Sequence, residues 1–183
     1  WWALAALPGA HWSAVTPDAP LRYWHLIELG PGDGLVNRPL FINESILHFL
    51  TGLHQLDERL AALLAPLSPS DSHSEERGWG GLVERITRAW EPASGILPVI
   101  QLCGGDPAAR RALAIAACES VQRCLYALSA AAIPVDVRER ERFLRLCERE
   151  AVLGHAVLLL ECDDMNAADT PHEAVIRQVA ERL

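Results

Sequence analysis

LCGGDPAARRALAIAA, residues 102 to 117, is the stretch on which the reading of this chain turns. An apolar run, Val99 to Leu102, enters two glycines, passes a short polar turn and becomes an alanine-rich helical segment. Backbone N–H groups of a glycine turn at a helix N-terminus can surround phosphate oxygens. The full pattern for such a P-loop is G-x-x-x-x-G-K-[ST]. In register, Gly104 is the first glycine, and Gly105, Asp106, Pro107 and Ala108 fill the next four places. Ala109 then stands for the second glycine, Arg110 for the lysine, and Arg111 for the hydroxyl that binds Mg2+. Arg110 keeps the charge, but its planar fork is not an ammonium. Arg111 supplies no metal ligand. The same residues also suit a plain strand-to-helix turn.

A second segment strengthens the P-loop reading. AVLLLECDD (156–164) is an apolar strand that ends in Glu161, Asp163 and Asp164. In P-loop ATPases an apolar strand ends in an Asp-Glu pair: the first acid holds the Mg2+ water shell and the second polarises the attacking water. Here Glu161 takes the first place and Cys162 the second. The candidate nucleotide-binding set is therefore Gly104, Gly105, Asp106, Pro107, Ala108, Ala109, Arg110, Arg111 and Glu161, with no catalytic or metal-ligating residue assigned.

Composition narrows the function further. All 16 basic residues among the 183 are arginine, so no lysine-dependent chemistry resides in this chain. The net charge of −8 disfavours nucleic acid as the partner, because phosphate neutralisation supplies most of that affinity. The five cysteines lack C-x-x-C spacing, which points to buried thiols in a reducing compartment rather than to a disulfide framework or zinc. No nucleophile elbow, G-x-S-x-G, is present. The apolar runs are shorter than the ~20 residues of a membrane span. The chain opens WWALAALPGAHW, without a methionine or a basic leader, and is expected to be a cytoplasmic piece of a longer polypeptide.

Three regions are expected: a module over 1–66, a linker with a connecting helix over 67–94, and an α/β domain over 95–183. In the first, Ala3–Leu7 reads as helical. RYWHLIEL (22–29) and LVNRPLFI (35–42) read as strands joined by the turn GPGDG (30–34). Asn43 is a good N-cap for a helix ending at Gly52. A second helix from Asp57 has Leu56, Leu60, Leu63 and Leu64 on one face. Helix, hairpin and helix in this order suit a winged-helix-like α+β module. In the last region, Val99–Leu102, Leu125–Leu128 and Val157–Leu160 are expected as neighbouring parallel strands. Helix 137–154 turns Phe143, Leu144, Leu146 and Cys147 inward and its charges outward.

Taken together, PDAPLRYWHLIELG (17–30), RPLFINESILHFLTGLHQLDERLAAL (38–63), VIQLCGGDPAARRALAIAA (99–117) and EREAVLGHAVLLLECDDM (148–165) resemble bacterial AAA-family ATPases that carry winged-helix segments beside their P-loop modules. Some of these are encoded with phage-tail-like contractile injection systems. The resemblance implies α/β architecture, with a winged-helix-like module followed by the first half of a degenerate AAA-type P-loop domain. It implies ATP as the ligand, held weakly or not at all, and a homo-oligomeric full-length protein in which another module hydrolyses ATP. It carries over to Gly104–Arg111 and Glu161. Ala109, Arg110, Arg111 and Cys162 depart from the family pattern. Mg2+ is not expected here. A non-enzymatic adaptor, using the winged-helix module to bind a protein or DNA, is the alternative.

Overall fold

The computed structural model describes residue 9 and residues 11–71, 79–90, 98–104, 106–163, 165 and 170–182. The helix expected at 3–7, residues 72–78 and 91–94 of the expected linker, and the last of the strand-end acids, Asp164, lie outside these. The chain is mixed α/β and divides into two compact units, 1–58 and 59–183. The division falls ahead of the expected one at 66.

The first unit contains α1 (Pro20–Tyr23), β1 (Ile27–Leu29), β2 (Leu40–Ile42) and α2 (Glu44–Leu50). β1 and β2 form an antiparallel pair, with Ile27 opposite Ile42 and Leu29 opposite Leu40. Both strands are shorter than expected, and the reasons are local. Residues 22–26 close α1: His25 has φ +53, its N–H bonds the Arg22 carbonyl (3.2 Å), and the Leu26 N–H bonds the Leu21 carbonyl (2.9 Å). This is the paired hydrogen-bond pattern that ends helices in a left-handed residue. Leu35–Asn37 forms a 3-10 turn rather than strand.

Asn43 caps α2 as expected, its side chain accepting from the Ser45 N–H (3.1 Å). α2 ends with Gly52 at φ +82, where glycine avoids a Cβ clash. The helix expected from Asp57 is much shorter than expected: α3 covers only Glu58–Ala61. Residues 65–67 leave it to become β3 (Ala65–Leu67) in the other unit's sheet.

In the second unit the sheet order is β3, then β4 (Cys124–Ser129), then β5 (Ala156–Glu161). β4 and β5 are parallel, with Leu125 opposite Val157 and Ser129 opposite Glu161. β3 runs antiparallel on the far edge of β4. α4 (Gly80–Ala89) and α5 (Pro107–Ser120) precede β4, and α6 (Val137–Leu153) crosses from β4 to β5. α7 (Thr170–Arg182) follows β5. Strand alternation puts Leu125, Val157 and Leu159 on one face, where Ala114, Ile115 and Cys118 of α5 meet them together with Leu67, Trp90 and Leu102.

Two expectations need correction. Val99–Leu102 forms no strand: among the described residues, 98–103 belong to no sheet. A central parallel strand is buried on both faces, whereas Val99 is 64% exposed and only Leu102 reaches the core. In α6, Phe143, Leu144, Leu146 and Cys147 do face inward, but so do Arg140, Arg149 and Glu150. Arg149 is paired with Glu150 (2.9 Å). Arg140 donates to the Val135 carbonyl (2.8 Å) and to Gln178 of α7 (3.1 Å). These bonds allow charged groups to be buried in the helix.

Candidate functional site

The residues singled out in the sequence converge on one end of β5. Asp106 is the N-cap of α5, its carboxylate accepting from the Ala108 N–H (2.9 Å). Pro107 occupies the first helical position, where its fixed φ suits the helix and its missing N–H is of no consequence. Ala108, Ala109, Arg110 and Arg111 are already helical. Ala109 is not at positive φ, so its methyl causes no strain. Gly104 lies in the bend just before the helix. Gly105 lies outside the described residues.

Arg110 and Arg111 turn toward the end of β5. The two Arg110 terminal nitrogens donate to the Gly104 carbonyl and to the Asp163 carboxylate. Arg111 meets Glu161 as a fork: Nε donates to Oε1, and Nη2 donates to Oε2 at 2.7 Å. The hydrogen bond to Glu161 holds the Arg111 guanidinium above its ordinary pKa, against an opposing effect of burial; Glu161 and Asp163 also raise it by their charge. Burial, with the charge of Asp163 added, pushes the Cys162 thiol up. A thiol so placed is a poor nucleophile at neutral pH.

This geometry bears on whether a magnesium nucleotide fits. A phosphate cradle needs N–H groups converging on an anion. Pro107 has none, and the Ala108 N–H is already held by the Asp106 carboxylate. The two guanidinium groups are engaged by carboxylates of the chain itself. Arg111 offers no hydroxyl to a metal. Among the described residues, no group of three His, Cys, Asp or Glu side chains is placed to hold a metal ion. Among the described residues, then, neither a free array of N–H groups nor a hydroxyl is offered to a magnesium nucleotide; the two arginines and two carboxylates form an ion-pair clasp between the start of α5 and the end of β5.

Sequence reading located both halves of this clasp but paired neither. The available signal was charge: two adjacent arginines on one side, Glu161 and Asp163 on the other, each at the end of an apolar segment. No family model, no curated protein and no solved structure matches the chain. Among the described residues, no helix is long and apolar enough to cross a membrane.

Proposed function

We propose that this chain is the N-terminal part of an AAA-family ATPase, with a winged-helix-like module ahead of a degenerate, non-hydrolysing P-loop module. Its role is to organise or regulate an oligomeric ATPase whose working nucleotide site lies elsewhere. The observation that carries this reading is the pairing of Arg110 and Arg111 with Asp163 and Glu161. It puts the loop residues and the acidic strand end at the same edge of the sheet, where α/β proteins place their ligands. It also replaces, with an internal ion-pair clasp, the contacts a nucleotide would use.

The run 99–102, which joins no sheet among the described residues, does not supply the strand that precedes a P-loop. The test of function is Mg2+-dependent phosphate release by the purified chain. None is expected, because loss of such transition-state contacts removes orders of magnitude in rate. Steady release abolished by Glu161→Gln would overturn the reading.

The adaptor alternative is favoured by one feature. β2 is apolar and exposed along its whole length, which suits contact with protein rather than with DNA. The putting of Asp33 at the hairpin tip, with a chain charge of −8, argues in the same direction. A steeply salt-dependent shift of duplex DNA at submicromolar chain would reverse that preference.

A further inference from the structure

We propose that the β2 edge pairs antiparallel with β2 of a second copy of this chain, about a two-fold axis through Phe41. The phase of the hairpin's hydrogen bonds decides which backbone groups of β2 point outward. The Gly30 N–H bonds the Pro39 carbonyl (2.9 Å), and the Asn43 N–H bonds the Leu26 carbonyl (3.0 Å). Bonded and non-bonded pairs alternate along an antiparallel ladder. Pairs 30–39, 28–41 and 26–43 are therefore bonded, and the N–H and C=O groups of Leu40 and Ile42 point away from β1. Among the described residues nothing pairs with them, and the sheet ends at β2. A two-stranded sheet with an unguarded edge is a template for another strand.

The side chains agree. Leu40, Phe41 and Ile42 are 40%, 54% and 42% exposed, three consecutive apolar residues with no charge among them. Natural edges are usually blunted by charge or proline; here Pro39 stands just outside the strand. With Phe41 on the axis, Leu40 of one copy faces Ile42 of the other, and both outward-facing pairs become bonded. Phe41 then faces Phe41 in a non-bonded pair, where side chains approach most closely.

Charge selects this register over its neighbours. Centring on Phe41 brings Arg38 of one copy, just before the strand, towards Glu44 of the other, the first residue of α2, twice by symmetry. A shift of the axis to residue 40 or 42 sets Arg38 or Glu44 opposite an apolar residue instead. Both side chains are exposed. Arg38 bonds the Gly32 carbonyl through Nε, and its terminal nitrogens have no partner among the described residues. The Glu44 carboxylate has none either. A second copy of the chain is thus the occupant whose chemistry this edge matches in hydrogen-bond phase, apolar surface and charge.

The test is sedimentation equilibrium of the complete chain over a concentration series. A dimer is expected, and Ile42→Pro should weaken it by roughly tenfold or more, since it removes an outward N–H and spares the hairpin. Arg38→Glu and Glu44→Arg should each weaken it by about threefold to tenfold, and combining them should restore it. Phe41→Cys should form a disulfide to itself between copies on treatment with oxidised glutathione, with peptide mapping to separate it from the native thiols. If Ile42→Pro loses its folded circular dichroism, the charge swap and the crosslink decide. A chain that stays monomeric to about 200 µM overturns the proposal. So does a dimer insensitive to the charge swap and without the position-41 crosslink, as does an edge taken only by a strand of another protein.

Discussion

Arg111, in the first turns of α5, and Glu161, the last residue of β5, are fifty positions apart and meet through a two-point guanidinium–carboxylate contact. Such a fork has a defined geometry as well as a charge, so it fixes the approach of the helix start to the strand end. Arg110 adds a second clasp, bridging Gly104 and Asp163. The two guanidinium groups and the two carboxylates balance one another in charge.

The clasp should be measurable in stability. A double-mutant cycle on Arg111→Ala and Glu161→Ala is expected to give a coupling of about 0.5–1 kcal/mol by denaturant unfolding. The value is held down by exposure, since half of the Arg111 side chain is open to solvent. It should shrink in high salt. A coupling of zero at low salt would mean that the pair does not hold the two elements together.

Asn43 makes an unusual N-cap. Its carbonyl oxygen accepts from the Ser45 backbone N–H and hydroxyl, while its amide donates to Asp57 (3.3 Å) and to Glu28 (3.4 Å). Asn43→Ala should destabilise the first unit by about 1 kcal/mol. Asn43→Asp, a good cap elsewhere, should be worse at neutral pH, because it turns the donor into a third carboxylate. Acid should relieve that excess, since like charges favour protonation. Equal melting of the Asn43→Asp variant and the native chain at pH 7 would contradict this.

Gln122 holds a left-handed conformation, φ +54, after α5. Its N–H bonds the Glu119 carbonyl (3.0 Å), and the Arg123 N–H bonds the Cys118 carbonyl (2.9 Å). Glycine is the ordinary occupant of such a position. Gln122→Gly is expected to stabilise the chain by about 0.5–1 kcal/mol, the relief of strain exceeding the added chain entropy. A lowered melting temperature would show that the glutamine side chain contributes something the backbone argument leaves out.

Helices α6 and α7 are joined by Arg182, which donates to Glu141 (2.5 Å) and Glu148 (2.5 Å). The hydrogen bond from Arg182 holds the Glu141 carboxyl below its ordinary range, against a smaller opposing effect of burial. A carboxyl with a depressed folded pKa adds stability above its unfolded value, and that stability is lost as pH falls through the folded one. Glu141→Gln should therefore be less stable than the native chain at neutral pH, with the gap closing in acid. A gap that is constant with pH would place its cause outside this ion pair.

These features differ in how far the sequence discloses them. β4, α6 and β5 were legible because each is a single uninterrupted pattern: an apolar run, then a long amphipathic period, then another apolar run. Asn43 and Gly52 marked the ends of α2 because both residue types act locally. The turn at His25 was illegible for the same reason in reverse. Its hydrogen bonds match those at Gly52, but histidine gives no sign of a left-handed turn, and the aromatic run 22–29 read as strand. β3 was illegible because Ala65–Leu67 is fixed by pairing with β4, a partner about sixty residues away, while Leu67 continues the helical period of Leu60, Leu63 and Leu64. At the candidate site the residues were legible one by one. Their pairing was not, because charge partners across fifty residues depend on the parallel register that brings β5 beside β4.

Arg110 and Arg111 serve the carboxylates at the end of β5, which a nucleotide would have to displace. Calorimetric titration with inorganic triphosphate and with Mg·ATP, on the native chain and on Glu161→Gln/Asp163→Asn, tests it most directly. The native chain should bind neither more tightly than about 1 mM, and the double variant, its guanidinium groups released, should bind triphosphate at least about tenfold more tightly. Micromolar Mg·ATP binding by the native chain that survives Arg110→Ala, or a double variant no better than the native chain, would contradict the account.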